Sequence, residues 1–138
     1  MRQRTIVHPV SVSGKGLHTG EDITVTLRPA PVDHGIVFQR VDLFGKPTVR
    51  PLIANIATDL MRATALVENN AKVITPEHLL SAITGMGISN ILIEMTGSEL
   101  PILDGSAKPW VNALLEAEGV EQDKDAEVFT VDKPVTVT

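Results

Sequence analysis

Ile23, Val25 and Leu27 alternate strictly with the polar residues of Asp22 to Arg28. A period of two puts the apolar side chains on one face of a strand and the polar ones on the other. Such a strand cannot stand alone, because its apolar face must be covered by a second layer. The same pattern predicts strands over Arg4 to Ser13 (Ile6, Val10, Val12) and Gly35 to Val41 (Ile36, Phe38). Ala63 to Glu68 and Lys72 to Ile74 predict a hairpin turning at Asn69-Asn70. Ser89 to Met95 is the most apolar run and is expected at the centre of the sheet. Asp42 to Leu60, with Pro47 and Pro51, is predicted to be irregular.

Two segments change to the helical period. From Pro76, Leu79, Leu80, Ile83 and Met86 share one stripe, ended near Gly85 and Gly87. Thr75 is expected to cap this helix, with Pro76 at its first position, where a missing N–H costs nothing. Ala107 to Glu118 predicts a second helix, capped by Ser106, burying Trp110, Val111, Leu114 and Leu115 and ended by Gly119. Short strands and two helices predict an α+β fold: a two-layer sandwich of mainly antiparallel sheet packed on two helices.

The chain has 138 residues and 43% apolar content, enough for one domain with a real core. Three Phe, one Trp and no Tyr make that core aliphatic and leave no stacking platform for single-stranded nucleic acid. A net charge of −5 argues the same way, so no nucleic-acid partner is expected. No cysteine is present, which excludes disulfides and thiolate metal sites. The start leads into an alternating strand, not a signal segment, and no apolar run reaches membrane-spanning length. A cytoplasmic chain without stable membrane insertion is expected.

Gly119 to Glu127 is acidic and poor in apolar residues, and is predicted to be a linker. Beyond it, Thr130 to Thr138 echoes Thr5 to Ser13, with Thr, Pro and two Val in register. Two Thr/Val-rich strands resemble one another by chance often enough to leave that reading open. The alternative is a domain over 1–126, followed at 127–138 by linker and the first strand of a truncated second copy.

Three polar islands interrupt the core pattern: Gly16-Leu17-His18-Thr19-Gly20, Thr75-Pro76-Glu77-His78 and Ile102-Leu103-Asp104-Gly105-Ser106. Glu77 and His78 fall in a first helical turn. The positive end of the helix dipole suits a carboxylate at Glu77 and a neutral, metal-ligating imidazole at His78. Such a pair fits a general base beside a metal ligand. A plain reading stands beside it: acidic residues are common at helix starts, and a first-turn His is often merely part-exposed. His18 is equally readable as a turn residue, and Asp104-Gly105 as a common turn pair.

Taken together, Gly16 to Gly20, Leu27-Arg-Pro-Ala-Pro31, Thr75-x-Glu-His-Leu79 and Glu99-x-Pro-Ile-Leu-Asp-Gly-Ser106 resemble the UDP-3-O-acyl-N-acetylglucosamine deacetylases, the zinc enzymes of bacterial lipid A synthesis. The resemblance runs in order through essentially the whole chain and corresponds to the first of the family's two similar domains. It implies that His78 is a zinc ligand and Glu77 the general base that activates the zinc-bound water. It implies that Leu17, His18, Thr19 and the segment containing Met61 and Ala63 line the substrate cleft, with Asp104 in a supporting role. The remaining Zn2+ ligands would lie in a second domain in cis, beyond Thr138. On this reading UDP-3-O-acyl-N-acetylglucosamine is the substrate, and the 138-residue chain alone is expected to be inactive. The competing expectation is a non-catalytic α+β module that binds a small molecule or a protein.

Overall fold

The computed structural model describes residues 1–58 and 64–126. Met61, Ala63 and the 127–138 tail therefore lie outside the described residues. Ten strands and two helices are present among them. Five strands form the main sheet: β2 (Val10–Lys15), β3 (Asp22–Pro29), β4 (Ile36–Arg40), β5 (Thr48–Val49) and β9 (Ile91–Met95). Their order is β2-β3-β9-β4-β5, and only the β4–β9 pairing is parallel. The expected central strand is therefore central: Ile93 stands opposite Leu27 on one side and Phe38 on the other, and all three are fully buried.

A smaller sheet joins β6 (Ile56–Thr58), β7 (Thr64–Glu68) and β8 (Ala71–Ile74). The β7–β8 turn is the predicted Asn69-Asn70, with φ of 54° and 60°. Asn tolerates this left-handed region because its side chain forms local hydrogen bonds, and two such residues match the twist of a tight hairpin. Buried Arg40 links the two sheets. Its guanidinium clasps Asp42 at 2.9 and 2.7 Å and donates to the Lys72 carbonyl at 2.9 Å.

The helices are α1 (Glu77–Gly85) and α2 (Lys108–Ala117), packed on each other and contributing to one core with the main sheet. The α+β reading is borne out. Several local expectations are corrected. Arg4 to Ser13 is two strands, β1 (Arg2–Ile6) and β2, broken at Val7-His8-Pro9. Pro9 has no N–H to give to a ladder, while the Val7 and His8 N–H groups donate to the Glu118 and Ala117 carbonyls at the end of α2. The irregular stretch 42–60 contains β5, a 3-10 turn at Ile53–Asn55 and β6. The supposed linker is also a strand: β10 (Gly119–Asp125) pairs antiparallel with β1. Its weak hydrophobicity misled, because in an edge ribbon backbone hydrogen bonding, not burial, decides.

On α2 the buried residues are Trp110, Ala113, Leu114 and Ala117, whereas Leu115 is 59% exposed. The helix starts one residue later than expected, with Ala107 at the N-cap position. Ser106 Oγ still accepts from the Lys108 N–H at 3.2 Å. Glu118, at φ 62°, makes the terminal turn expected of Gly119.

Candidate active site

Thr75 does not cap α1. Pro76 takes the N-cap position, Glu77 begins the helix, and no side chain caps it. Thr75 has a left-handed backbone (φ 59°) and is buried. Its hydroxyl turns away from the helix and donates to Glu99 Oε2 at 3.0 Å. A β-branched residue is costly in this conformation, so its neighbours must hold it there. They do: the Thr75 N–H donates to the Thr64 carbonyl at 2.8 Å, and Ile74 exchanges backbone bonds with Ser98 and Leu100 at 2.7 and 3.1 Å.

Glu99 is the residue that sequence reasoning passed over. Its side chain is 1% exposed, yet each carboxylate oxygen receives two donors. The N–H groups of His18 and Thr19 both reach Oε1 at 2.9 Å. His18 Nδ1 reaches Oε2 at 2.7 Å, beside the Thr75 hydroxyl. Burial pushes this carboxyl up, but the Thr19 N–H, the His18 ring and N–H and the Thr75 hydroxyl outweigh it and hold it below the usual glutamate value. A buried charge is tolerable when its acceptor sites are filled in this way.

Glu99 thereby joins two of the three islands. The third is attached through the backbone: Gly16 bridges Pro101, and the Ile102 N–H donates to the Lys15 carbonyl at 2.9 Å. Within the third island, Asp104 is exposed and accepts from the Ser106 N–H at 2.9 Å and its hydroxyl at 2.7 Å. The Ser106 hydroxyl, then its N–H, lower the Asp104 pKa. These bonds give Asp104 the turn geometry that leads into α2.

The predicted residues are thus placed as follows. His18 and Thr19 sit on the loop held by Glu99, with Leu17 61% exposed beside them. Glu77 is exposed and His78 half-buried, one and two residues past buried Pro76. Among the described residues no three His, Cys, Asp or Glu side chains lie close enough together to hold a metal ion. His78 is one available donor, whereas a catalytic zinc takes three protein ligands. The described residues do not build a complete metal site.

A layered α+β domain whose His18 loop and the Thr75 approach to α1 are held together by a buried glutamate is the class that fold and site define. The family model for UDP-3-O-acyl N-acetylglycosamine deacetylase (LpxC) matches residues 3–138, and the chain belongs to that family. It is 48% identical over 139 residues to a UDP-3-O-acyl-N-acetylglucosamine deacetylase of Stenotrophomonas maltophilia. It is 46% identical over 137 residues to one of Xanthomonas campestris pv. campestris. These alignments cover 100% and 99% of the chain, but the chain spans 45% of the length of each relative. No described helix is long and apolar enough to cross a membrane.

Proposed function

We propose that this chain forms the N-terminal part of a cytoplasmic, zinc-dependent amidase that deacetylates UDP-3-O-acyl-N-acetylglucosamine in lipid A biosynthesis. The observation that carries the reading is the buried Glu99 carboxylate, which holds the His18 loop and the residue leading into Glu77-His78 against one another. Such convergence of ionisable groups from distant segments is what a site for amide hydrolysis requires. In this reading His78 gives one zinc donor, and the other ligands belong to a second domain in cis. Glu77, exposed at the start of α1, accepts the proton of the water that attacks the amide carbonyl. Leu17, His18 and Thr19, with Met61 and Ala63, line the substrate cleft, and the Asp104 turn supports it.

The test uses the complete protein. Glu77→Ala is expected to lower deacetylation on the order of 100-fold or more while metal content by atomic absorption stays unchanged. His78→Ala is expected to lower metal content as well. A normal rate in Glu77→Ala would sink the general-base role.

A further inference from the structure

His18 is held by an acceptor whose own capacity is full. An ionised carboxylate only accepts, with two lone-pair directions on each oxygen. Glu99 Oε1 is filled by the His18 and Thr19 N–H groups, and Oε2 faces the Thr75 hydroxyl and His18 Nδ1. The three donors of fixed direction, the His18 and Thr19 N–H groups and the Thr75 hydroxyl, favour the ionised carboxylate, so the hydrogen between Oε2 and Nδ1 belongs to the imidazole. The other ring nitrogen, Nε2, has no hydrogen-bond partner among the described residues, and the His18 side chain is 39% exposed. The Glu99 side chain is wholly enclosed, so the ring is anchored at one end and open at the other.

We infer that Glu99 is a positioning residue that locks His18 in its Nδ1–H tautomer and presents a bare Nε2 as the acceptor for a donor group on the substrate. This role for His18 rests on the amidase reading above. Two donors of the right class occur in such a substrate: a sugar hydroxyl and the N–H of the amide that is cleaved. An imidazole whose Nδ1–H is bonded to a carboxylate is fixed in orientation and tautomer, as in other carboxylate–histidine pairs. The arrangement also explains Gly16. A Cβ there would run into Glu99 Oε1 and lie 2.6 Å from Thr19 Oγ1, so only glycine lets the loop close over the carboxylate.

Glu99→Gln makes the decisive change. The amide keeps the size of the side chain and one accepting oxygen for the two backbone N–H groups. Its NH2 then faces Nδ1 and the Thr75 hydroxyl as a donor, which forces the ring into the Nε2–H tautomer. Long-range 1H–15N spectra of the 15N-histidine-labelled 138-residue chain, at a pH of about 8 where histidine is ordinarily neutral, read the tautomer directly. The chain has four histidines, so a His18→Asn sample assigns the signal. The native chain is expected to show Nδ1–H, and Glu99→Gln is expected to invert it. A native Nε2–H tautomer overturns the inference without any need for the variant to fold. An uninverted tautomer in a folded Glu99→Gln chain also overturns it.

Kinetics of the complete protein supply the second arm. Glu99→Gln and His18→Ala should each lower kcat/KM at least 10-fold. The double variant should be no worse than His18→Ala alone within about 2-fold, because one acts through the other. Independent, multiplying losses, or an unchanged rate in Glu99→Gln, would refute the positioning role. Absence of deacetylation by the native complete protein would instead refute the amidase reading, leaving the tautomer result standing.

Discussion

Gly16 and Glu99 show how narrowly one buried group is fitted. Gly16→Ala must push either the carboxylate or the loop aside, and overpacking of this kind costs about 1–3 kcal/mol. Urea unfolding should show that loss, and the His18 ring signal should shift with it. An unchanged midpoint would mean that the loop yields freely and that the glycine is incidental. The helix start that carries Glu77 and His78 is legible in the sequence because its setting is local, with a recognisable apolar stripe behind it. Glu99 opens a recognisable motif, yet nothing in the sequence assigns it a role. Its donors come from 80 and 24 residues away, and no neighbouring residue marks a glutamate as buried. The Thr75 cap failed for the same reason: a distant carboxylate competed for its hydroxyl and won.

Among the elements, α2 separates two adjacent leucines. Leu114 is 1% exposed and Leu115 59%. Leu114→Ala should therefore cost about 2–5 kcal/mol, whereas Leu115→Ala should stay within about 1 kcal/mol, as judged from urea midpoints. Equal losses would show that α2 is rotated from the orientation described. The stripe runs through Trp110, Ala113, Leu114 and Ala117, spaced by three and four residues. By bulk alone Leu115 outranks Ala113 and Ala117, yet the two alanines are the buried residues. The strands with a buried face were easier, since alternation in β3 and the continuous run in β9 carry their own signature. β10 carries none: Val120 is its one large apolar side chain and is exposed, so its pairing with β1 is invisible to any pattern of burial.

For the whole molecule, five described carboxylates are held below their ordinary values. Hydrogen bonds from Lys124 to Asp33, Arg40 to Asp42, Arg50 to Glu68 and Ser106 to Asp104 are the largest cause at each of those four. At Glu99 the largest contribution is burial, which raises the value, but its four donors together prevail. A depressed folded-state pKa means that the unfolded chain binds more protons at acid pH. The stabilisation is therefore fully present above the ordinary carboxylate values of 3.8 and 4.5, and is lost as pH falls through the folded values. Urea midpoints should be level with respect to these groups above a pH of about 5 and fall below it. Glu99→Gln should show a shallower fall than the native chain. A stability that rises on acidification through this range would contradict the assignment.

The β1–β10 ribbon joins Ile6 to Gly119 and Arg2 to Asp125. During synthesis β1 leaves the ribosome before its partner, which follows only after both helices have been made. For that interval the edge of β1 has no companion from its own chain. Residues 119–125 thus act as a late clasp on β1, and pairing of this ribbon waits for their emergence.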